Sequence, residues 1–569
     1  MNQLLANIME QHTPKTNKKI MDGVNDIILK YAPEYLNKII MSGISAMSEG
    51  IPLTYNGWRK LTPKEEFNKV YGGRDNRVNY DISVSSLYTV EYSFTYNGVV
   101  INKHLYLPYA VKGNIMQISN TPYNIISVLS DTVISPTYKN IFVRLLRAKL
   151  IFERVDRNFI VDGIRTPGQI IHSDIYKTVG RNIEDNLGQV VPPVNLYILG
   201  MKGVRESYEK YAGIKDVIFT LDDVEKYRDT HRVYESTKLR PRVLKDTYYT
   251  PHDLKIAIPY DSINASNKDF VDNFTFSIMY CFDIFPEAVY DIITLLDTHN
   301  VTDEKMFWRI ILGRIVFKNS YSINKVLDDM NDHFITLRSY IDVLIKGKLN
   351  ESGMEVDDFY DLLAIILSNY NMWLMNSKMY NSDLNNRYLD ILYYLMYDII
   401  IGINKTLFDI NRKSSKKELS NLEINKYFSD NFSAKKFFSV LSGGMNIALE
   451  VASSSASSEL KYMFTNKLSD QSKGNGVKIS KQNTLPEAMK SIKAQDIYFG
   501  SVLFLTKSAI SPRFKANMFM DFNINTGRII IPKERQKELD KLDILLKAKT
   551  GQHEVPESLV NESEDSIDA

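Results

Sequence analysis

Apolar and polar positions change period several times along this chain. Ile20, Val24, Ile27, Ile28 and Tyr31 recur at helical spacing, which predicts helix over residues 1–60, closed by Asn56-Gly57. Residues 80–145 alternate and turn often, so they read as β-rich. The stretch 98–131 is their centre. In it Val100, Leu105 and Leu107 lead to Pro108, and Ile115, Gln117, Asn120, Tyr123, Ile125 and Ile126 follow Gly113-Asn114, a pair suited to positive φ. Apolar residues continue from 145 to 161 between Arg147, Lys149, Arg154 and Arg157. Pro192-Pro193 then breaks the chain ahead of VNLYILGM, a short apolar strand or the start of a helix.

Residues 203–262 mix short helices and strands with a basic run, Arg232, Lys238, Arg240, Arg242 and Lys245. Residues 270–440 read as mostly helical. Ile391, Leu392, Leu395, Met396, Ile399, Ile400 and Ile403 form an i, i+4, i+8 stripe whose simplest role is core packing. Residues 441–484 are small, Ser-rich and polar, with Gly474 and Gly476, and read as loops. Alternation returns over 497–531, in IYFGSVLFL and GRIIIP. Pro532 ends the folded part, and the acidic tail with Glu554, Glu557, Glu562, Glu564, Asp565 and Asp568 has the composition of a disordered segment. No internal repeat is visible.

Length changes this picture by requiring more than one core: 569 residues imply two to four domains. Apolar residues at 44% and charged residues at 24% give an ordinary globular balance. The net charge of +2 means that any nucleic-acid surface must be local. A single cysteine, Cys281, excludes disulfides within the chain and fits a reducing compartment. The N-terminal sequence has no signal core, and the most membrane-like run, 388–403, is too short for a span and carries Asp390 and Asp398. A soluble, non-membrane protein is expected.

Searches for reaction chemistry are negative. No phosphate-cradling glycine loop occurs. The eight histidines are scattered, and none pairs at metal-ligand spacing. Asp222-Asp223, Asp328-Asp329 and Asp357-Asp358 are adjacent carboxylates, which diverge on a helix and read as solvated faces or caps. Cys281 lies in an apolar run and reads as a buried, inert thiol. No catalytic residue and no metal ligand is expected in this chain. The positive signal is basic density late in the chain: Lys467, Lys473, Lys478, Lys481, Lys490 and Lys493 against Asp470 and Glu487, then Arg513 and Lys515. Lysines on glycine-containing loops can follow a phosphate backbone without reading sequence. A merely solvated loop is the alternative on composition alone.

Taken in order, several segments resemble the N-terminal half of the β subunit of multisubunit DNA-dependent RNA polymerase. LPYAVKGNIMQISNTPYNIISVLSDTVIS resembles that family's strand, glycine and "Val-Ile-Val-Ser-Gln-Leu" segment, with Gly113, Ile115, Ile118, Asn120, Tyr123, Ile125, Val128, Leu129, Ser135 and Pro136 in the pattern. VNLYILGMKGVRESY, with Leu199, Gly200 and Met201, is similar to the lobe segment, an apolar strand followed by a short helix. Asp383, Asn386 and Arg387 resemble the Asp-x-x-x-Asn-Arg-Arg that opens the helix returning from the lobe. Ser458-Glu459-Leu460 falls at the fork, where the family's His-Lys-Arg-Arg cluster is represented only by Lys461 and Lys467. AISPRFKANMF, with Pro512, Arg513 and Lys515, resembles the strand that follows.

The resemblance covers about residues 90–530. The chain looks like the β N-terminal half in the split polymerases of large tailed bacteriophages, in which β and β′ are each made as two chains. The resemblance implies an α+β multidomain fold of mixed helices and antiparallel sheets: protrusion at 1–145 and 375–440, lobe at 146–374, fork at 441–531, and a helical or disordered acidic tail at 532–569. It implies a non-catalytic part of a nucleotidyltransferase, one jaw of the DNA cleft. Mg would be held by the β′ partner. The other implied partners are the β C-terminal half, both β′ halves, a promoter-specificity subunit, the DNA template and RNA. The implied nucleic-acid contacts are Lys461, Lys467, Lys473, Lys478, Lys481, Arg513 and Lys515. The implied location is the cytoplasm of the infected host, with packaging in the virion left open. A structural or scaffolding protein of a large phage particle is the rival reading.

Overall fold

The computed structural model describes residues 25–47, 50–71, 81–111, 115–125, 128–130, 132–137, 139–145, 148–179, 191–220, 225–235, 243–244, 247–248, 255–284, 304–316, 322–376, 388–414, 417–431, 448–451, 466–467, 502–505, 513–516, 521–523, 527–530 and 544. These residues form an α+β assembly of helices and antiparallel sheets. The chain divides into two compact units. The first comprises 1–132, 342–348 and 379–569, and the second comprises 133–341 and 349–378.

The first unit begins with helix α1 (Asn25–Ser45), which carries Pro33 inside it. A proline cannot donate to the carbonyl four residues earlier. Here that carbonyl, of Leu29, accepts from Lys60 Nζ at 3.0 Å instead. Tyr92 donates its hydroxyl to the Pro33 carbonyl, and Tyr88 donates to that of Ile28. Lys60 ends strand β1 (Leu53–Lys60). The helix expected over 1–60 therefore gives way to strand at Leu53. The Asn56-Gly57 pair lies inside that strand, at a bulge where Gly57 takes φ +109. Pairing with the next strand overrides local preference here.

After α2 (Pro63–Tyr71), strands β2 (Leu87–Tyr96) and β3 (Val99–Pro108) complete the sheet β1-β2-β3. Asn97 and Gly98, at φ 47 and 77, make the two-residue turn between them. A second hairpin joins β4 (Ile115–Ile118) to β5 (Thr121–Ile125). Asn120, read from sequence as part of a strand run, instead forms this tight turn with Ser119, both at positive φ. The proposed Gly113-Asn114 turn lies outside the described residues. Strand β6 (Val128–Ser130) follows.

The second unit is built on a seven-stranded antiparallel sheet. Its early strands are β7 (Ile134–Pro136), β8 (Asn140–Arg144), β9 (Lys149–Val161) and β10 (Ile164–Ser173). VNLYILGM is helix rather than strand: α3 (Asn195–Lys202) buries every residue from Asn195 to Gly200. A short, uniformly apolar run has no period to separate the two states. After α4 (Val204–Ala212) come β11 (Ile218–Thr220), β12 (His231–Glu235), a small hairpin of β13 (Val243–Leu244) with β14 (Thr247–Tyr248), and β15 (Lys255–Pro259). The large sheet runs β11-β15-β12-β9-β8-β7, and β10 pairs with β9.

Helix α5 (Lys268–Ile284) packs on β10. Gly168 permits this, because Phe159 and Phe276 stack over it with centroids 4.5 Å apart. Helices α6 (Glu304–Val316) and α7 (Ile323–Arg338) follow, then α8 (Val343–Glu351) and α9 (Phe359–Met375). Tyr370 of α9 donates to the Phe152 carbonyl of β9 at 3.1 Å.

The chain then returns to the first unit through β16 (Tyr388–Asp390), α10 (Leu392–Leu395), α11 (Tyr397–Ser414) and α12 (Asn421–Asn431). The apolar stripe from Ile391 to Ile403 is buried as core. Gly43 of α1 faces Leu407 of α11 so closely that a Cβ would stand 2.5 Å from Leu407 Cδ1. Phe428 of α12 packs on Phe94, centroids 4.7 Å apart. The last strands are β17 (Leu449–Val451), β18 (Asn466–Lys467), β19 (Val502–Leu505), β20 (Arg513–Ala516), β21 (Asp521–Phe522) and β22 (Ile529–Ile530).

Candidate nucleic-acid interface

Three of the seven basic residues singled out from sequence lie in the small sheet β18-β20-β19 of the first unit. Lys467 stands directly opposite Arg513. Lys515 is two residues beyond Arg513 and shares its strand face, and Phe504 is the residue opposite Lys515. Strand register thus brings three basic positions, far apart in sequence, to adjacent places in one small sheet. Lys461, Lys473, Lys478 and Lys481 lie outside the described residues, as do Ser458, Glu459 and Leu460.

Neighbouring strands anchor this sheet. β18 lies beside β6, and β6 pairs with β16 so that Tyr388 faces Ser130. Tyr388 also bridges Arg528. Strand β6, the returning strand β16 and the basic strands therefore meet in one part of the first unit. Sequence reasoning missed Arg528, which is exposed. Its hairpin is tight: Gly527 takes φ +77 and donates to the Asn523 carbonyl at 2.7 Å, and Asn523 donates to that of Arg528 at 2.8 Å. The signal available was the Gly527-Arg528 pair between two apolar strands.

A buried lysine pins β16. Lys348 is 8% exposed, and its Nζ sits 4.9 Å from the Tyr388 ring centre and 5.0 Å from that of Tyr393. Tyr388 returns its hydroxyl to the Lys348 carbonyl at 3.1 Å. Asp342 accepts from the backbone N–H groups of Leu344 and Ile345. Burial pushes its carboxyl up, against the pull of those N–H groups and of Lys348. Cation–π attraction grows when the cation is desolvated, so this cage steadies β16, the strand that pairs with β6.

Elsewhere the polar groups are structural. Asp358 caps α9 in a reciprocal capping box with Asp361, the cap reading of that carboxylate pair. Cys281 is fully buried on α5. His104 meets Glu91 at 2.8 Å, and Glu91 also receives Arg59. Among the described residues no group of three His, Cys, Asp or Glu has metal-holding geometry. No described helix is long and apolar enough to cross a membrane.

A sequence model of the family described as "Non-virion RNA polymerase subunit" matches residues 1–518. The chain belongs to that family. The match covers most of this polymerase subunit, including Lys467, Arg513 and Lys515, and stops before Arg528. It supports a role in phage transcription within a multisubunit enzyme and leaves the scaffold reading without support. The sequence matches none of the curated proteins with which it was compared.

Proposed function

We propose that this polymerase subunit is the N-terminal β half of a split phage RNA polymerase. In this reading residues 1–145 and 375–440 form a protrusion, 146–374 a lobe and 441–531 a fork, and the chain makes one jaw of the DNA cleft. The subunit handles nucleic acid and contributes no catalytic group. The β′ partner holds Mg and runs two-metal phosphoryl transfer. The β C-terminal half, the two β′ halves and a promoter-specificity subunit complete the enzyme, which works in the cytoplasm of the infected cell, as the family's non-virion description suits.

The observation that carries the reading is the pairing of β6 with β16 beside the β18-β20-β19 sheet. It joins segments whose order resembles β, and in the sheet beside it the register sets Lys467 opposite Arg513, with Lys515 two residues on. Isolation of the native complex tests the subunit assignment: four large half-subunits at equal stoichiometry, this one among them, are expected together with the promoter-specificity subunit. Capsid protein in many copies would refute it. In that complex, Lys467→Ala, Arg513→Ala and Lys515→Ala together should flatten the dependence of log K on log salt by roughly 2–3, at about 0.7–0.9 per lost phosphate contact. An unchanged slope would remove these residues from the interface.

A further inference from the structure

Three buried polar atoms of the second unit find no hydrogen-bond partner among the described residues, and they belong to two side chains whose rings are in contact. They are the Tyr197 hydroxyl on α3 and both ring nitrogens of His333 on α7. Tyr197 is 0% exposed and His333 is 3% exposed. Their rings meet edge to face, with centroids 5.9 Å apart, and Phe334 tilts against Tyr197. The Tyr197 hydroxyl is within electrostatic reach of Tyr176, Asp174, Tyr360 and Tyr340. Polar side chains from α9 and from the turns after β10 and α7 thus surround the Tyr197 hydroxyl, although Tyr360 spends its own hydroxyl on the Phe334 carbonyl and Asp174 accepts from Ile151.

A neutral imidazole offers one donor and one acceptor, and a phenol offers both. Leaving such atoms bare forfeits their hydration with nothing in return. Native interiors rarely do this, and internal water is the usual partner where several polar groups share a space. Burial holds His333 down at about 4, so the ring is neutral and presents both roles.

We propose that Tyr197 and His333 border a buried chamber holding ordered water, hydrogen-bonded to the Tyr197 hydroxyl and to both His333 nitrogens. The chamber is separate from the basic strand face and does not depend on the polymerase assignment. The shape-preserving change Tyr197→Phe in the full chain tests it. A hydroxyl bonded to water loses a bond on removal, so the melting temperature should fall. A bare hydroxyl loses only a burial penalty, so a melting temperature that rises or stays level overturns the proposal. His333→Leu provides the second variant, read at constant far-ultraviolet circular dichroism. If the two side chains share water, the losses couple, and the double variant falls by less than the sum. Strict additivity would mean that they share none. A crystal structure that shows ordered solvent should place density within hydrogen-bonding distance of both side chains, and an empty chamber refutes the proposal.

Discussion

Asp361→Asn should weaken the second unit by more than a surface charge change can. Asp361 is 7% exposed at the first turn of α9. Its Oδ1 accepts from Lys210 Nζ at 2.5 Å and from the Tyr211 hydroxyl at 2.8 Å. Its Oδ2 accepts from the backbone N–H of Asp357 and Asp358, at 3.2 and 3.3 Å. Both oxygens therefore face donors, and neither orientation of an asparagine amide satisfies them. Breaking a fully buried pair costs about 3–5 kcal/mol. The Lys210 side chain is 40% exposed, so water recovers part of its charge and the expected loss is about 2–3 kcal/mol. Lys210→Met, which leaves Tyr211 and the backbone donors in place, should cost about 1 kcal/mol.

Urea unfolding followed by tryptophan fluorescence measures the effect. In a Trp58→Phe background only Trp308 and Trp373 remain, and both lie buried in the second unit. The pH dependence sharpens the test. Burial raises the Asp361 carboxyl, but Lys210, Tyr211 and the Asp357 N–H outweigh it, and the folded value lies below the ordinary 3.8. A carboxyl depressed on folding stabilises above its unfolded value and loses that contribution as pH falls through the folded one. The gap between Asp361→Asn and the parent should hold from about pH 5 to 8 and close below about pH 4. A loss under about 0.5 kcal/mol at neutral pH, the range of surface changes, or a gap that persists in strong acid, would refute the argument.

Three further outcomes are expected. Gly168→Ala places a Cβ 2.6 Å from Phe159 and 2.8 Å from Phe276, so the ring stack must open, at about 1–3 kcal/mol in thermal unfolding. Lys348→Met removes the cation caged by Tyr388 and Tyr393 and should speed amide exchange in β16 by roughly tenfold or more, at about 2 kcal/mol; unchanged exchange would show that the cage does not hold the strand. His333 falls from 6.5 to about 4 on folding, so its neutral form stabilises above pH 6.5 and that contribution is lost towards pH 4, by about 3 kcal/mol. His333→Gln should flatten the acid limb of a stability–pH curve, and an unaltered limb would assign that loss to other groups.

Much of the element pattern was legible in the sequence because periodicity reports one-sided burial. The β-rich stretch, the buried stripe through Ile403 and the helices around Cys281 follow from which residues repeat on one face. Two places misled and one stayed open, for physical reasons. Leu53–Lys60 becomes a strand because β2 supplies a partner at long range. At Asn195–Lys202 a mostly apolar run carries no period and left strand and helix both open, and packing on every side makes it helix. Asn120 turns because Ser119-Asn120 can both take positive φ, which alternation hides.

The basic residues were also legible as a composition, but their convergence was not. Lys467 and Arg513 are 46 positions apart in the numbering, and only strand register sets them opposite one another. The caged Lys348 and the Tyr197–His333 pair left no local signal, since each depends on which distant side chains arrive beside it. The sequence by itself determined the alternation, the single buried cysteine and the order of segments that resembles a polymerase. Tertiary structure alone decided which cations share a face and which polar groups are buried, because pairing between distant strands, and the desolvation that comes with it, exist only once the chain has folded.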